Sequence, residues 1–249
     1  DTAIFLAITK ILIDEKLYDE QFVKNFTDFP LLVRTDTLKR LRPEELFPDY
    51  HLQPLSVSFT EHGLTEEQRA RIGDFVVYDL KTNSFKPISR EAVGEKNTLD
   101  PAIEGRFTVT TVDGKKAEVM TIFEMYRIHL KDYTPEAASE ISGAPADKIR
   151  ALAMDIATIK PAAIHYGEGV NHYFHATLHN RATFLPMMLT GNIGTHGAGV
   201  FTWAGNYKGA LFQASPWSGP GVGSYMFEDP FNPVLDENVR ITKENIRNT

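Results

Sequence analysis

Between Gly167 and Lys208 the chain reads GEGVNHYFHATLHNRATFLPMMLTGNIGTHGAGVFTWAGNYK. Two glycine-rich turns flank one apolar stretch, with Asn171, His172, Asn192, His196, Asn206 and Lys208 set among or after the glycines. Glycine removes the Cβ that keeps a ligand off the backbone, and main-chain N–H groups freed at a turn bind phosphate and other anions. These residue types suit a large phosphate-bearing cofactor, with imidazole and amide side chains available as hydrogen-bond donors. The dinucleotide fingerprint GxGxxG is absent, since Gly167 and Gly169 are followed by Asn171 and His172 with no third glycine in place. That argues against an ordinary NAD site.

A second chemistry competes for the same segment. His172, His175 and His179 are spaced by three and four, so on one continuous helix they would share a face and could ligate zinc or copper. No HExxH-type acidic base accompanies them, and the glycine turns on both sides would then have no role. A non-catalytic module that kept the fold and lost its cofactor is the other alternative.

Positioning such turns needs a strand and a helix. The run 160–166 (KPAAIHY) reads as a buried parallel strand that breaks at Gly167, and 173–189 as the helix returning over a sheet through Phe174, Leu178, Phe184, Leu185 and Met188, with Pro186 kinking it or ending it early. Strand, glycine turn and helix form the half-unit that binds anionic cofactors at the carboxyl edge of an open sheet, so the expected class is an α/β, doubly wound, mainly parallel sheet. A helix pair precedes it. Thr134 is a good N-cap with Pro135 at the first helical position and Gly143 as a stop, and Pro145 opens 146–158 with Ile149, Leu152, Ala153 and Ile156 on one apolar face.

The middle of the chain is built differently. Segments 74–79, 107–112 and 117–122 are rich in β-branched residues, and Asp113-Gly114 is a strong hairpin signal. The expected organisation is therefore a cofactor domain from 1–48 and 123–249 interrupted by an irregular and β-hairpin insertion at 49–122, whose start carries Pro54 without clear periodicity.

Composition narrows the partners. A net charge of −7 makes nucleic acid an unsuitable partner, and the basic run Arg34, Lys39, Arg40 and Arg42 is interrupted by Asp36 and followed by Glu44 and Glu45, which reads as a solvated face. No apolar run approaches the roughly 20 residues that span a bilayer. With no cysteine, the chain offers no thiolate for an iron–sulfur cluster, a cysteine-type zinc site or a disulfide.

The combination of GEGVNHY, LTGNIGTHGAG and WAGNYK resembles the third domain of the molybdopterin oxidoreductases, the DMSO reductase family that carries molybdenum bis(molybdopterin guanine dinucleotide). The run 133–157 (YTPEAASEISGAPADKIRALAMDIA) is similar to the family's helix pair before this strand, and 1–25 to the helix after its PGTD loop, with Asp1 at the place of that Asp. The resemblance covers both ends and fades in the middle. FTDFPLLVR at 26–34 and NHYFHATLHNRA at 171–182 bring the wording nearest the nitrate reductase branch, and within it nitrite oxidoreductase catalytic subunits. Formate dehydrogenases of the family place an arginine where this chain has Ala204, which argues against formate.

The resemblance implies oxygen-atom transfer between molybdenum and nitrogen, oxidising nitrite to nitrate or the reverse, with nitrate, chlorate or selenate reduction as the alternative. It implies iron–sulfur and aspartate ligands upstream of the matched region, an iron–sulfur electron-transfer beta subunit, a haem or membrane-anchor gamma subunit, and a membrane-associated complex on the periplasmic or cytoplasmic side. It also implies a parent several times longer than this chain, which lacks an initiator Met and begins in an amphipathic helix, so a fragment is expected, inactive alone.

Residue by residue, the resemblance places His172 beside the pterin and metal as a donor to an oxyanion or oxo group; capping the following helix is its other reading. Gly167, Gly169 and Asn171 belong to the same turn, where Asn171 suits either the pterin edge or local backbone capping. Gly191, Asn192, Gly194, His196, Gly197 and Gly199 would cradle pyrophosphate or pterin. Asn206 and Lys208 fall in the family's last loop here, where Lys208 would offset cofactor charge or stay solvent-exposed, and Asp1 would accept hydrogen bonds from guanine or ribose.

Overall fold

The computed structural model describes residues 1–53, 55 and 65–202. They fall into two units, one of 1–163 with 178–199, the other of 164–177 and, among the described residues, 200–202.

The first unit opens on α1 (Thr2–Asp14), whose Ala7, Ile8, Ile11, Leu12 and Ile13 are buried. At roughly 1.5–3 kcal/mol for each large aliphatic side chain removed from water, this face anchors the helical layer. Asp19 caps α2 (Glu20–Phe26) by accepting the Phe22 N–H at 2.9 Å. β1 (Leu32–Arg34) follows. α3 (Glu66–Ile72) carries a Thr65/Gln68 capping box and stops at Gly73, φ +63°.

The segment expected as an insertion forms two antiparallel sheets. β2 (Phe75–Asp79) and β3 (Ser84–Ile88) make a hairpin turning through Asn83 at φ +48°. β4 (Arg106–Thr110) and β5 (Lys116–Thr121) make another, with Gly114 at φ +79° in the turn, as Asp113-Gly114 predicts. β5 also pairs with β1, Val33 opposite Met120, so a strand from before residue 49 completes the sheet β1–β5–β4. Leu32, Leu41, Val76, Val109, Ala117 and Val119 form one core from strands and turns on both sides of the predicted boundary. Tyr78 stacks on Phe107 at 4.4 Å between ring centroids.

Asp79 fixes the β2–β3 hairpin to the following loop. Its buried carboxylate accepts the Asp100 N–H at 2.8 Å, the Thr82 hydroxyl at 2.7 Å and the Thr82 N–H at 3.1 Å. Burial works against the charge, yet these donors outweigh it and hold the carboxyl below its ordinary range.

The helical layer is completed by α4 (Ile122–His129), α5 (Pro135–Ser142) and α6 (Ala146–Thr158). The expected caps are present: Thr134 accepts the Ala137 N–H, and Gly143 closes α5 at φ +75° in the left-handed region. α5 and α6 both pack on α1. Ile149, Ala153 and Ile156 are buried, whereas Leu152, predicted on that face, is 43% exposed at its edge.

β6 (Ala163–Tyr166) pairs with β7 (Gly199–Thr202) in a two-stranded sheet. Between them, α7 spans Ala176–Leu189, three residues shorter at its start than 173–189. The predicted apolar face is also shifted, because Phe174 is 85% and Leu178 54% exposed while Ala182, Thr183, Pro186, Met187 and Leu189 are buried. Pro186 lies inside the helix, which continues to Leu189. Among the described residues, no helix is long and apolar enough to cross a membrane.

Candidate cofactor site

The loop after α7 belongs to the first unit and is built from the inside by Asn192. This side chain is 2% exposed. Its amide donates to the Ile156 carbonyl at 3.0 Å and to the Thr190 hydroxyl at 2.8 Å, and its oxygen accepts the Ala162 N–H at 3.0 Å. Both amide protons are used. Asn192 therefore turns inward and ties the loop to the end of α6 and the approach to β6, instead of facing a ligand as predicted. Thr190 donates in turn to the Pro186 carbonyl at 2.8 Å, and the Lys160 ammonium donates to the Thr190 carbonyl. Sequence reasoning missed Lys160 and Thr190, whose roles depend on partners 30 and four residues away.

Beyond this buried foot the loop runs along the surface. Gly191, Gly194, Gly197 and Gly199 all have positive φ, at +68°, +79°, +82° and +139°. At Gly191 a Cβ would lie 2.9 Å from the Asp19 carboxylate, and at Gly197 3.2 Å from the Pro161 ring. At Gly194 no described atom lies within 4 Å. Residues 194–197, with the His196 imidazole among them, are exposed. Asp1, in the same unit, is the N-cap residue of α1 without a side-chain capping bond, and it is exposed.

The second unit carries the other turn. Gly167 is extended, at φ −90° and ψ −162°, and leads into a 3-10 turn over Glu168–Asn171 that closes with the His172 N–H on the Gly169 carbonyl at 3.4 Å. His172 follows the turn and is exposed. His175 has φ +60° and precedes α7, so His172 and His175 do not lie on the helix that carries His179. The shared face needed for a three-histidine metal site is not formed, and among the described residues no group of three His, Cys, Asp or Glu gathers to hold a metal ion. Asn206 and Lys208 lie outside the described residues.

The glycines provide a test of fit for a bound group. Neither Gly167 nor Gly169 has positive φ, and no described atom stands within 4 Å of where a Cβ would be. Nothing among the described residues requires glycine at these positions. A ligand approaching the backbone would require it, which is the cradle a cofactor of this kind needs.

Similarity to the alpha subunits of oxyanion reductases places the chain among oxidoreductase subunits: it belongs to the molybdopterin oxidoreductase family. It is 34% identical to the perchlorate reductase subunit alpha of Dechloromonas aromatica (strain RCB), a match covering 84% of this chain and 23% of the relative. It is 32% identical to the respiratory nitrate reductase subunit alpha of Haloferax mediterranei, over 84% of this chain and 20% of that protein. It is also 29% identical to the dopamine dehydroxylase of Eggerthella lenta, over 89% of this chain and 28% of the relative. The chain thus spans about a quarter of the length of these relatives. No family model matches it.

Proposed function

We propose that this chain is part of the catalytic subunit of a molybdenum oxidoreductase that moves an oxygen atom to or from a small oxyanion, with nitrite oxidation to nitrate, or its reverse, as the reaction. The open backbone at Gly167 and Gly169 is the observation that carries the reading. In the complete subunit the strands and helices flanking the two turns contribute to a doubly wound sheet, and the cofactor has the bis(molybdopterin guanine dinucleotide) form. Reduction of perchlorate, chlorate, selenate or nitrate is the second reading, favoured by the names of the relatives.

When bound, the molybdenum–pterin group supplies oxygen-atom transfer and two-electron redox chemistry. This chain's share is to bind and orient. Main-chain N–H groups of Gly167, Gly169, Gly194 and Gly197 would hold the anionic parts of the cofactor, and Asn192 keeps the loop of Gly194 and Gly197 in shape from beneath. Asn171, His196, Asn206 and Lys208 offer polar contacts to it, and Asp1 one to guanine or ribose. The His172 imidazole donates to the oxyanion, stabilising charge that builds on oxygen. An iron–sulfur cluster elsewhere in the longer subunit would supply electron transfer to an iron–sulfur partner subunit, with a haem or membrane-anchor subunit completing the complex.

The test is His172→Ala in the complete enzyme, assayed with nitrite and an artificial electron acceptor. Turnover is expected to fall far more than molybdenum content. Equal loss of both assigns His172 to holding the cofactor, and turnover with chlorate but with neither nitrite nor nitrate replaces the substrate assignment by the second reading.

A further inference from the structure

Away from the glycine turns, the first unit has an open groove of about 860 Å³. Arg34, Lys39, Arg40, Arg42 and Arg181 line it, against the carboxylates of Asp28 and Glu45. Five cations facing two acids is a local reversal of charge in a chain of net charge −7.

The cations fall into two sets. Arg34 is held by Asp36 and Glu45, each at 2.7 Å, and Arg40 by Asp28 at 2.6 Å. Arg42 donates to the carbonyls of Ile72 and Asp74 at 2.8 and 3.0 Å. These three build the wall. Lys39, Arg181 and Tyr126 line the same groove, and the Lys39 ammonium, the Arg181 guanidinium and the Tyr126 hydroxyl make no hydrogen bond or ion pair among the described residues. Arg181 nevertheless acts on Tyr126: burial and then Asp28 raise the phenol's pKa, and Arg181 opposes them. The excess positive field extends past the wall. Arg40, Arg42 and Arg90 sit over one ring, Phe75, at 5.2, 5.3 and 4.8 Å, and Arg90 is held below its ordinary pKa first by burial and then by Arg40 and Arg42.

We infer that this groove docks a carboxylate-rich segment of a partner protein, with Lys39 and Arg181 as its ion-pairing residues. The volume exceeds what one oxyanion fills, and Val33, Ile122 and Met125 give the groove apolar lining that a peptide's side chains would cover. Beside Lys39, Leu38 stands 66% exposed in a left-handed turn at φ +56°, an apolar knob next to a cation. A compact phosphate site would need several donors free to converge on one point, whereas each of the three guanidiniums of the wall is already oriented by a partner within the protein.

The inference is independent of the cofactor reading and is tested without it. A fluorescein-labelled hexaglutamate peptide is titrated into the complete subunit by fluorescence anisotropy at low and moderate salt. The expected result is salt-sensitive binding, weakened about tenfold or more by Lys39→Glu with Arg181→Glu. Lys10→Glu with Lys131→Glu, on a different surface of this unit, makes the same change in net charge and should alter binding less than about twofold. Lys39 and Arg181 are exposed, so the fold tolerates these changes, and the neutral pair Lys39→Gln with Arg181→Gln repeats the test without charge reversal. Equal weakening by both charge reversals, no effect of either groove pair, or displacement of the peptide by inorganic pyrophosphate at equal concentration would overturn it, the last in favour of a phosphate site.

Discussion

Two stretches of this chain are rich in glycine, and they are glycine for different reasons. In the loop 190–199, Gly191 has φ +68° and the Asp19 carboxylate beside it, Gly197 has φ +82° and the Pro161 ring beside it, and Asn192 is saturated underneath. The fold explains most of that loop. At Gly167 and Gly169 the backbone lacks a positive φ and no described atom lies near a Cβ, so packing among the described residues explains nothing there. Glycine that the described residues do not require is what the proposed cofactor site would need.

Breaking the internal support should cost most. Asn192→Leu strands the Ile156 carbonyl and the Ala162 N–H, and is expected to lower stability by about 3 kcal/mol, read as a drop in melting temperature. Gly191→Ala puts a side chain in the left-handed region and against the carboxylate that caps α2, so about 2 kcal/mol is expected by the same measurement.

Away from the loops, polar groups inside the first unit sharpen the contrast through their pH dependence. Asp79 titrates below its ordinary value of 3.8 in the folded chain, so its contribution is complete above that value and is lost as pH falls through the folded pKa. Asp79→Asn should cost about 1.5 kcal/mol near neutral pH and flatten the acid limb of a stability–pH curve. The Tyr18 phenol, pushed up to about 12 by burial and then by its hydrogen bond to Glu104, behaves oppositely. Its contribution holds below its ordinary value of 10.0 and is lost as pH rises through the folded one. Tyr18→Phe is expected to cost about 1 kcal/mol at neutral pH and to remove that alkaline dependence.

What could be read from the sequence was local. The caps at Thr134 and Gly143 and the Asp113-Gly114 hairpin depend on neighbours within a few residues, and they stand where expected. β1 has three residues and pairs with a strand more than 80 positions away, so neither length nor periodicity betrays it. α7 starts at Ala176 and not at Tyr173: Phe174 is apolar yet exposed, and apolar character marks a core only when something covers it. Asn192 stands out in the sequence by its place among glycines, but its inward turn depends on Ile156 and Ala162, which no local pattern brings to it.

The most direct measurement compares Gly169→Ala with Gly191→Ala in the complete subunit, recording molybdenum content as purified and the melting temperature of the cofactor-free form. The account predicts that Gly169→Ala melts with the wild type but carries markedly less molybdenum, whereas Gly191→Ala melts lower. Full molybdenum content in Gly169→Ala would contradict the claim that its open backbone is there for a cofactor.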